Sequence, residues 1–125
     1  ASHTFGKGKD GTIFSVCTTV SYALEAKIEL KKLGFDVRVV DLYSIKPVDK
    51  ESIIKNAKET KTLVSIEDHS VIGGIGSIIS NVLCEEYPKK LIKLGVKDKF
   101  GKSGNKDKLY EMYNITKEDI IKCFV

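Results

Sequence analysis

Residues 67–77 hold the densest run of groups able to do chemistry: Glu67-Asp68-His69, then Gly73-Gly74 and Gly76-Ser77. Two carboxylates and an imidazole in succession could supply an acid–base pair or a carboxylate-oriented imidazole. The glycines that follow could let backbone N–H groups at a helix N-terminus hold an anion. Neither signal is specific, because the run is not G-x-G-x-x-G and lacks the lysine of a phosphate-binding loop. A tight loop whose glycines allow close helix–sheet packing is the preferred reading, with Asp68 and His69 bonded to backbone or turned to a partner surface. Glu67, Asp68, His69, Gly73, Gly74, Gly76 and Ser77 stand as a candidate anion, effector or interface site.

Weaker candidates lie elsewhere. Cys17-Thr18-Thr19 puts hydroxyls near a helix start, and Tyr43, Ser44 and Lys46 could touch a phosphate, although Ile45 and Pro47 favour a packed turn. Lys99, Gly101, Lys102, Ser103 and Gly104 form a small cationic loop, read as solvated or as a partner contact. Cys17, Cys84 and Cys123 are far apart, make no C-x-x-C pair and have apolar neighbours, so they read as buried small hydrophobes in a reducing cytosol. No G-x-S-x-G elbow and no zinc spacing occurs. No catalytic, cofactor-binding or metal-binding residue is assigned in this chain.

The elements that must position these groups alternate in type. Strands are predicted at 12–17, 36–42, 62–66 and 91–96, from short β-branched apolar runs. A helix capped by Thr18 or Thr19 carries Val20, Ala23, Leu24, Ile28 and Leu30 to Leu33 at helical spacing, with Gly34 as its C′ residue. Asp49 is the N-cap of a second helix bearing Ile53, Ile54 and Ala57. A third opens at Gly73–Ser77 and carries Ile78, Ile79, Val82 and Leu83, with Pro88 past its end. Short helices are predicted around 107–113 and after Thr116, the latter with Ile120, Ile121 and Phe124 beneath it. Alternating strands and helices with short connections imply right-handed βαβ units and a mostly parallel sheet covered on both faces. In such sheets, ligands bind beyond the carboxyl ends of the strands. Residues 11–125 form one domain. Residues 1–10 read as a possible edge strand or the remnant of a domain boundary.

Composition narrows the function classes. The chain has 125 residues, 42% hydrophobic and 30% charged, which is ordinary for one soluble domain. No apolar run approaches the roughly 18–20 residues of a membrane span, and no signal peptide is visible. The net charge of +4 sits unevenly, with eight lysines against Asp98 and Asp107 between Pro88 and Lys108. Twenty lysines against the single Arg38 point to a compositional bias of the source. Arginine forks and stacking aromatics are scarce in that stretch, so no nucleic-acid partner is expected.

Three linked strings carry a family likeness: 39–47 (VVDLYSIKP), 65–69 (SIEDH) with 73–76 (GGIG), and 94–104 (LGVKDKFGKSG). Together they resemble the C-terminal domain of transketolase. Asp68-His69 and Ile45-Lys46-Pro47 favour that family over the deoxyxylulose-phosphate synthases and the β-subunits of pyruvate-dehydrogenase-type enzymes. The resemblance implies a three-layer α/β/α fold with a mostly parallel five-stranded sheet and one antiparallel strand, which must come from near 4–7. It implies a cytoplasmic enzyme that moves a two-carbon ketol unit between ketose and aldose phosphates, using thiamine diphosphate and a divalent metal such as magnesium or calcium. Neither is expected on this chain, because the family's catalytic positions lie in two preceding domains. The partners implied are those two domains, or a separate catalytic subunit, and a second protomer. An excised domain is preferred over the small subunit of a split enzyme. The alternatives are a stand-alone anion- or nucleotide-binding regulatory module, and the docking domain of a pyruvate-dehydrogenase-type β-subunit.

Overall fold

The computed structural model describes residues 2–16, 19–42, 49–67, 74–95 and 117–125. In chain order these build β1 (His3–Phe5), β2 (Gly11–Ser15), α1 (Thr19–Lys32), β3 (Val37–Asp41), α2 (Lys50–Glu59), β4 (Thr62–Glu67), α3 (Ile75–Glu86), β5 (Ile92–Gly95) and α4 (Lys117–Lys122). The sheet runs β1-β3-β2-β4-β5. Among the described strands only β1 is antiparallel, with His3 opposite Asp41 and Phe5 opposite Val39. The expected antiparallel strand is therefore present, one residue earlier than its anticipated start. Three residues are too few to show a periodicity in sequence.

β2 leads to β3 on one side and β4 pairs on its other side, so strand order reverses between β2 and β4. Right-handed crossovers in opposite directions put helices on opposite faces. Ile13, Val37, Val39, Val64 and Ile66 meet Ala23, Ala26, Leu30 and Ile120 on the α1/α4 face. Phe14, Val40 and Leu63 meet Ile53, Ala57, Ile79, Val82 and Leu83 on the α2/α3 face. The period-2 alternation of side chains thus makes the three-layer α/β/α fold.

Local signals set the helix ends. Gly34 has φ +94°. Phe35 N–H donates to Leu30 O at 2.8 Å and Gly34 N–H to Lys31 O at 3.1 Å, the paired bonds of a Schellman ending. Asp49 caps α2 by accepting from Ser52 N at 3.1 Å.

Several expectations are corrected. Thr19 is the first residue of α1, not its cap. Ile28 and Leu33 are 59% and 57% exposed, because the buried stripe of α1 runs through Ala23, Ala26 and Leu30. Cys84 is exposed and Cys123 half-buried, so neither is a fully buried hydrophobe. Cys84 follows Leu83 in sequence, yet neighbours on a helix point about 100° apart, and α3 buries Ile79, Val82 and Leu83. Cys17, Thr18, Thr116 and the helix predicted near 107–113 lie outside the described residues. Among the described residues, no helix is long and apolar enough to cross a membrane.

Candidate functional site

The carboxyl ends of β2, β3 and β4 meet the starts of α2 and α3 at one rim of the sheet. On β4, Leu63, Ser65 and Glu67 share the face that turns toward α3. This alternation carries the side chain of Glu67 beneath the N-terminus of α3, where it is only 2% exposed. Its Oε2 accepts from Ile75 N at 2.9 Å and its Oε1 from Gly76 N at 3.4 Å. These are the first two amides of α3, and a helix leaves such groups unpaired unless a side chain or ligand meets them. The carboxylate also lies at the positive end of the helix dipole.

Gly74 is the N-cap residue and offers no side-chain cap of its own. A Cβ at Gly74 would lie 2.0 Å from Glu67 Oε2 and 2.4 Å from Oε1. Glycine is needed here for close approach of a carboxylate, not for an unusual backbone angle. At Gly76 a Cβ would meet Ser65 Oγ at 3.2 Å, a milder crowding that holds α3 close to the sheet. Ser77 follows in the first turn, half-buried.

At the reversal between β2 and β4, Thr19 fills the crevice. Its hydroxyl accepts from Val16 N at 3.1 Å and reaches Val16 O at 2.7 Å and Ile66 O at 3.2 Å. The single hydroxyl hydrogen can serve only one of those two carbonyls at a time. Thr19 therefore clips the ends of two parallel strands together where such folds usually leave a ligand cleft.

On the neighbouring strand, Asp41 Oδ1 is buried and has no hydrogen-bond partner among the described residues. Burial pushes the Asp41 carboxyl above the usual carboxylate range, and the charge of His3 opposes this. Asp49 Oδ2 accepts from the Ser2 hydroxyl at 2.8 Å. That bond and the Ser52 amide hold the Asp49 carboxyl below its ordinary value, against the effect of burial.

Of the candidate residues, the structure brings Glu67, Gly74 and Gly76 together with Ser77 next in the chain. Asp68, His69 and Gly73 lie outside the described residues, as do Tyr43, Ser44, Lys46 and the loop at 99–104. The anion at the start of α3 is the chain's own Glu67. Buried and bonded to two amides, this side chain anchors the start of α3 to β4. Among the described residues, no group of three His, Cys, Asp or Glu side chains could hold a metal ion.

Sequence patterning does not reveal one further cluster of polar groups. Arg38, on β3, is 7% exposed and donates through Nε to Gly8 O at 2.8 Å. Its Nη1 donates to Asn56 Oδ1 at 3.1 Å and to Glu59 Oε1 at 2.7 Å. The Arg38 guanidinium holds the Glu59 carboxyl below its ordinary value. Thr12 and Thr60 hydroxyls, 2.7 Å apart, continue the network. Thr60 donates its hydrogen to Asn56 O at 2.7 Å, so Thr12 is the donor between them. An arginine amid the valines of a buried strand is the signal that could have found this cluster, and its role is to tie α2 to the sheet.

Comparison with known proteins gives the family. The profile of the transketolase C-terminal domain matches residues 3–120. The chain belongs to the transketolase C-terminal domain family. A provisionally named transketolase C-terminal section of Methanocaldococcus jannaschii is 39% identical over 98% of this chain and 40% of its own length. One of the subunits of an apulose-4-phosphate transketolase, from Phocaeicola vulgatus, is 37% identical over 97% of this chain and 38% of its own. A split-gene transketolase, solved as an inactive β4 tetramer, superposes with a TM-score of 0.92 at 40% identity, covering 99% of this chain and 41% of that one. The chain thus spans about two fifths of the length of these relatives.

Transketolases are transferases that depend on thiamine diphosphate. A diphosphate needs free amides or cations, whereas α3 offers amides already held by a buried carboxylate. The described residues at this rim do not fit that group.

Proposed function

We propose that this chain is the non-catalytic C-terminal part of a transketolase. The whole enzyme would transfer a two-carbon ketol unit between ketose and aldose phosphates, with thiamine diphosphate and a divalent metal held by a catalytic partner. The observation that carries this reading is the likeness along nearly the whole chain to a split-gene transketolase chain. The Phocaeicola relative is named as one subunit of a transketolase, which fits a division of labour between polypeptides. The segment from Glu67 to Ser77 would serve as an interface with that partner or a second protomer, since Glu67 already occupies the seat an outside anion would need. Titration calorimetry of the purified chain should detect no thiamine diphosphate binding, and ketol transfer should require the added partner. Micromolar cofactor binding by this chain alone would sink the reading.

A regulatory anion or nucleotide module is the competing reading of the same segment. It predicts phosphate or nucleotide binding that is lost in Gly74→Val. The engagement of Glu67 with the Ile75 and Gly76 amides weighs against it.

A further inference from the structure

Among the described residues, two recesses that do not involve the start of α3 differ in charge. The larger, about 660 Å³, opens between β1 and α2. Its cations Lys7, Arg38 and Lys55 are matched by Asp49, Glu51 and Glu59, so it presents little net charge to a ligand. The smaller, about 290 Å³, sits at the opposite end of the sheet, against Thr62 and Ile92 at the starts of β4 and β5. Lys61, Lys89 and Lys90 line it together with Leu63, Ile92 and Cys123, and among the described residues no carboxylate lines it.

Three lysines line so small a space, and like charges brought close favour the entry of an anion. One of them is fixed in advance. Lys89 Nζ donates to Ala57 O at 2.8 Å and also to Thr60 O, which anchors it on the last turn of α2 and its C-cap. An ammonium has three N–H donors, so one remains beyond these two bonds. Lys61 is steadied through its backbone, whose N–H donates to Lys9 O at 3.0 Å. Leu63 and Ile92 add apolar wall, against which a short carbon body could rest.

We propose that this lysine-lined recess is a binding site for the phosphate monoester of a small metabolite. The two charges of the phosphoryl group meet the ammonium groups of Lys61, Lys89 and Lys90, and the organic part lies toward Leu63 and Ile92. The volume suits a ligand of a few carbons and is at the low end for small-molecule pockets. Asp119 adds to burial in pushing the Cys123 thiol up. This site is independent of the transketolase reading and of the segment from Glu67 to Ser77.

Cys123 provides the reporter. In a Cys17→Ser, Cys84→Ser background, alkylation of Cys123 by neutral iodoacetamide is followed by mass spectrometry at constant ionic strength. Glycerol phosphate should slow it saturably, by about tenfold at ten times its dissociation constant. Inorganic phosphate should protect more weakly, and Lys61→Gln with Lys90→Gln should abolish protection by both while leaving the melting temperature unchanged. Both lysines are exposed, so these changes spare the core. Equal slowing by chloride, or protection that survives in the lysine variant, overturns the site. Equal protection by the two phosphates overturns the part assigned to Leu63 and Ile92.

Discussion

α2 and α3 both begin on a carboxylate, and the two carboxylates arrive by different routes. Asp49 sits directly before α2 and bonds the Ser52 amide three residues on, in partial contact with water. Glu67 belongs to the preceding strand and bonds amides eight and nine residues on, in full burial. A local cap can be replaced by water when it is lost. A cap delivered across a connection, in a dry setting, leaves orphaned amides behind and also ties a strand to a helix. The contribution of the two caps to stability should therefore differ even though their chemistry is alike.

The largest effect is expected from Gly74→Ala. Its Cβ would overlap the Glu67 carboxylate, so both crowding and lost amide bonds count, together about 3 kcal/mol. Urea unfolding should show this as a lower midpoint at unchanged slope. Glu67→Ala alone should cost about 2 kcal/mol, the penalty for buried amides without a partner. The double variant should be less damaged than the sum, because the alanine at 67 removes the atoms that clash. Strict additivity would break the idea that these residues form one unit.

Asp49→Ala should cost about 1 kcal/mol, the usual value for a lost side-chain cap. A loss at Asp49 as large as that at Glu67 would erase the distinction between the two helix starts. The smallest effect concerns Asp41, whose buried oxygen resembles Glu67 in setting but has no described partner. Its pKa is raised in the folded state, so the native chain holds the proton more tightly than the unfolded one. Stability then falls as pH rises from the ordinary carboxylate range through the raised value. Asp41→Asn should remove that fall, so its advantage over the parent grows from acid to neutral pH in thermal melts. A difference that shrinks toward neutral pH would contradict the assignment.

The same contrast explains what is legible in the sequence. Asp49 and Gly34 are readable because a cap and a left-handed C′ residue act within a few positions of themselves. Glu67 reads as a candidate acid or base, or as part of an anion, effector or interface site, since nothing in a linear string reports that β4 aims it at the start of α3. Arg38 stands out as the single arginine, set amid valines, but its partners Asn56 and Glu59 come from a helix eighteen to twenty-one residues on. Cys84 misleads because sequence neighbours share a face in neither helix nor strand. β1 reads only as a possible edge strand within residues 1–10, and its antiparallel place beside β3 comes from the family likeness. The fold class is thus visible in alternation alone, while the chemistry of the rim depends on contacts made through the sheet.

The direction of β1 has a practical consequence for anyone building on this chain. Because it runs against its neighbours, His3 lies beside Asp41 and Ser2 reaches Asp49, so the first residues emerge at the Glu67 rim. The last residues finish at the other rim, where a Cβ at Gly11 would lie 2.1 Å from the Phe124 ring. A tag or reporter fused ahead of Ser2 would crowd the surface proposed for partner contact. One fused after Val125 would leave that surface clear and stand nearer the lysine-lined recess instead. The polarity of a three-residue strand thus decides which rim of the sheet a group attached ahead of it would meet.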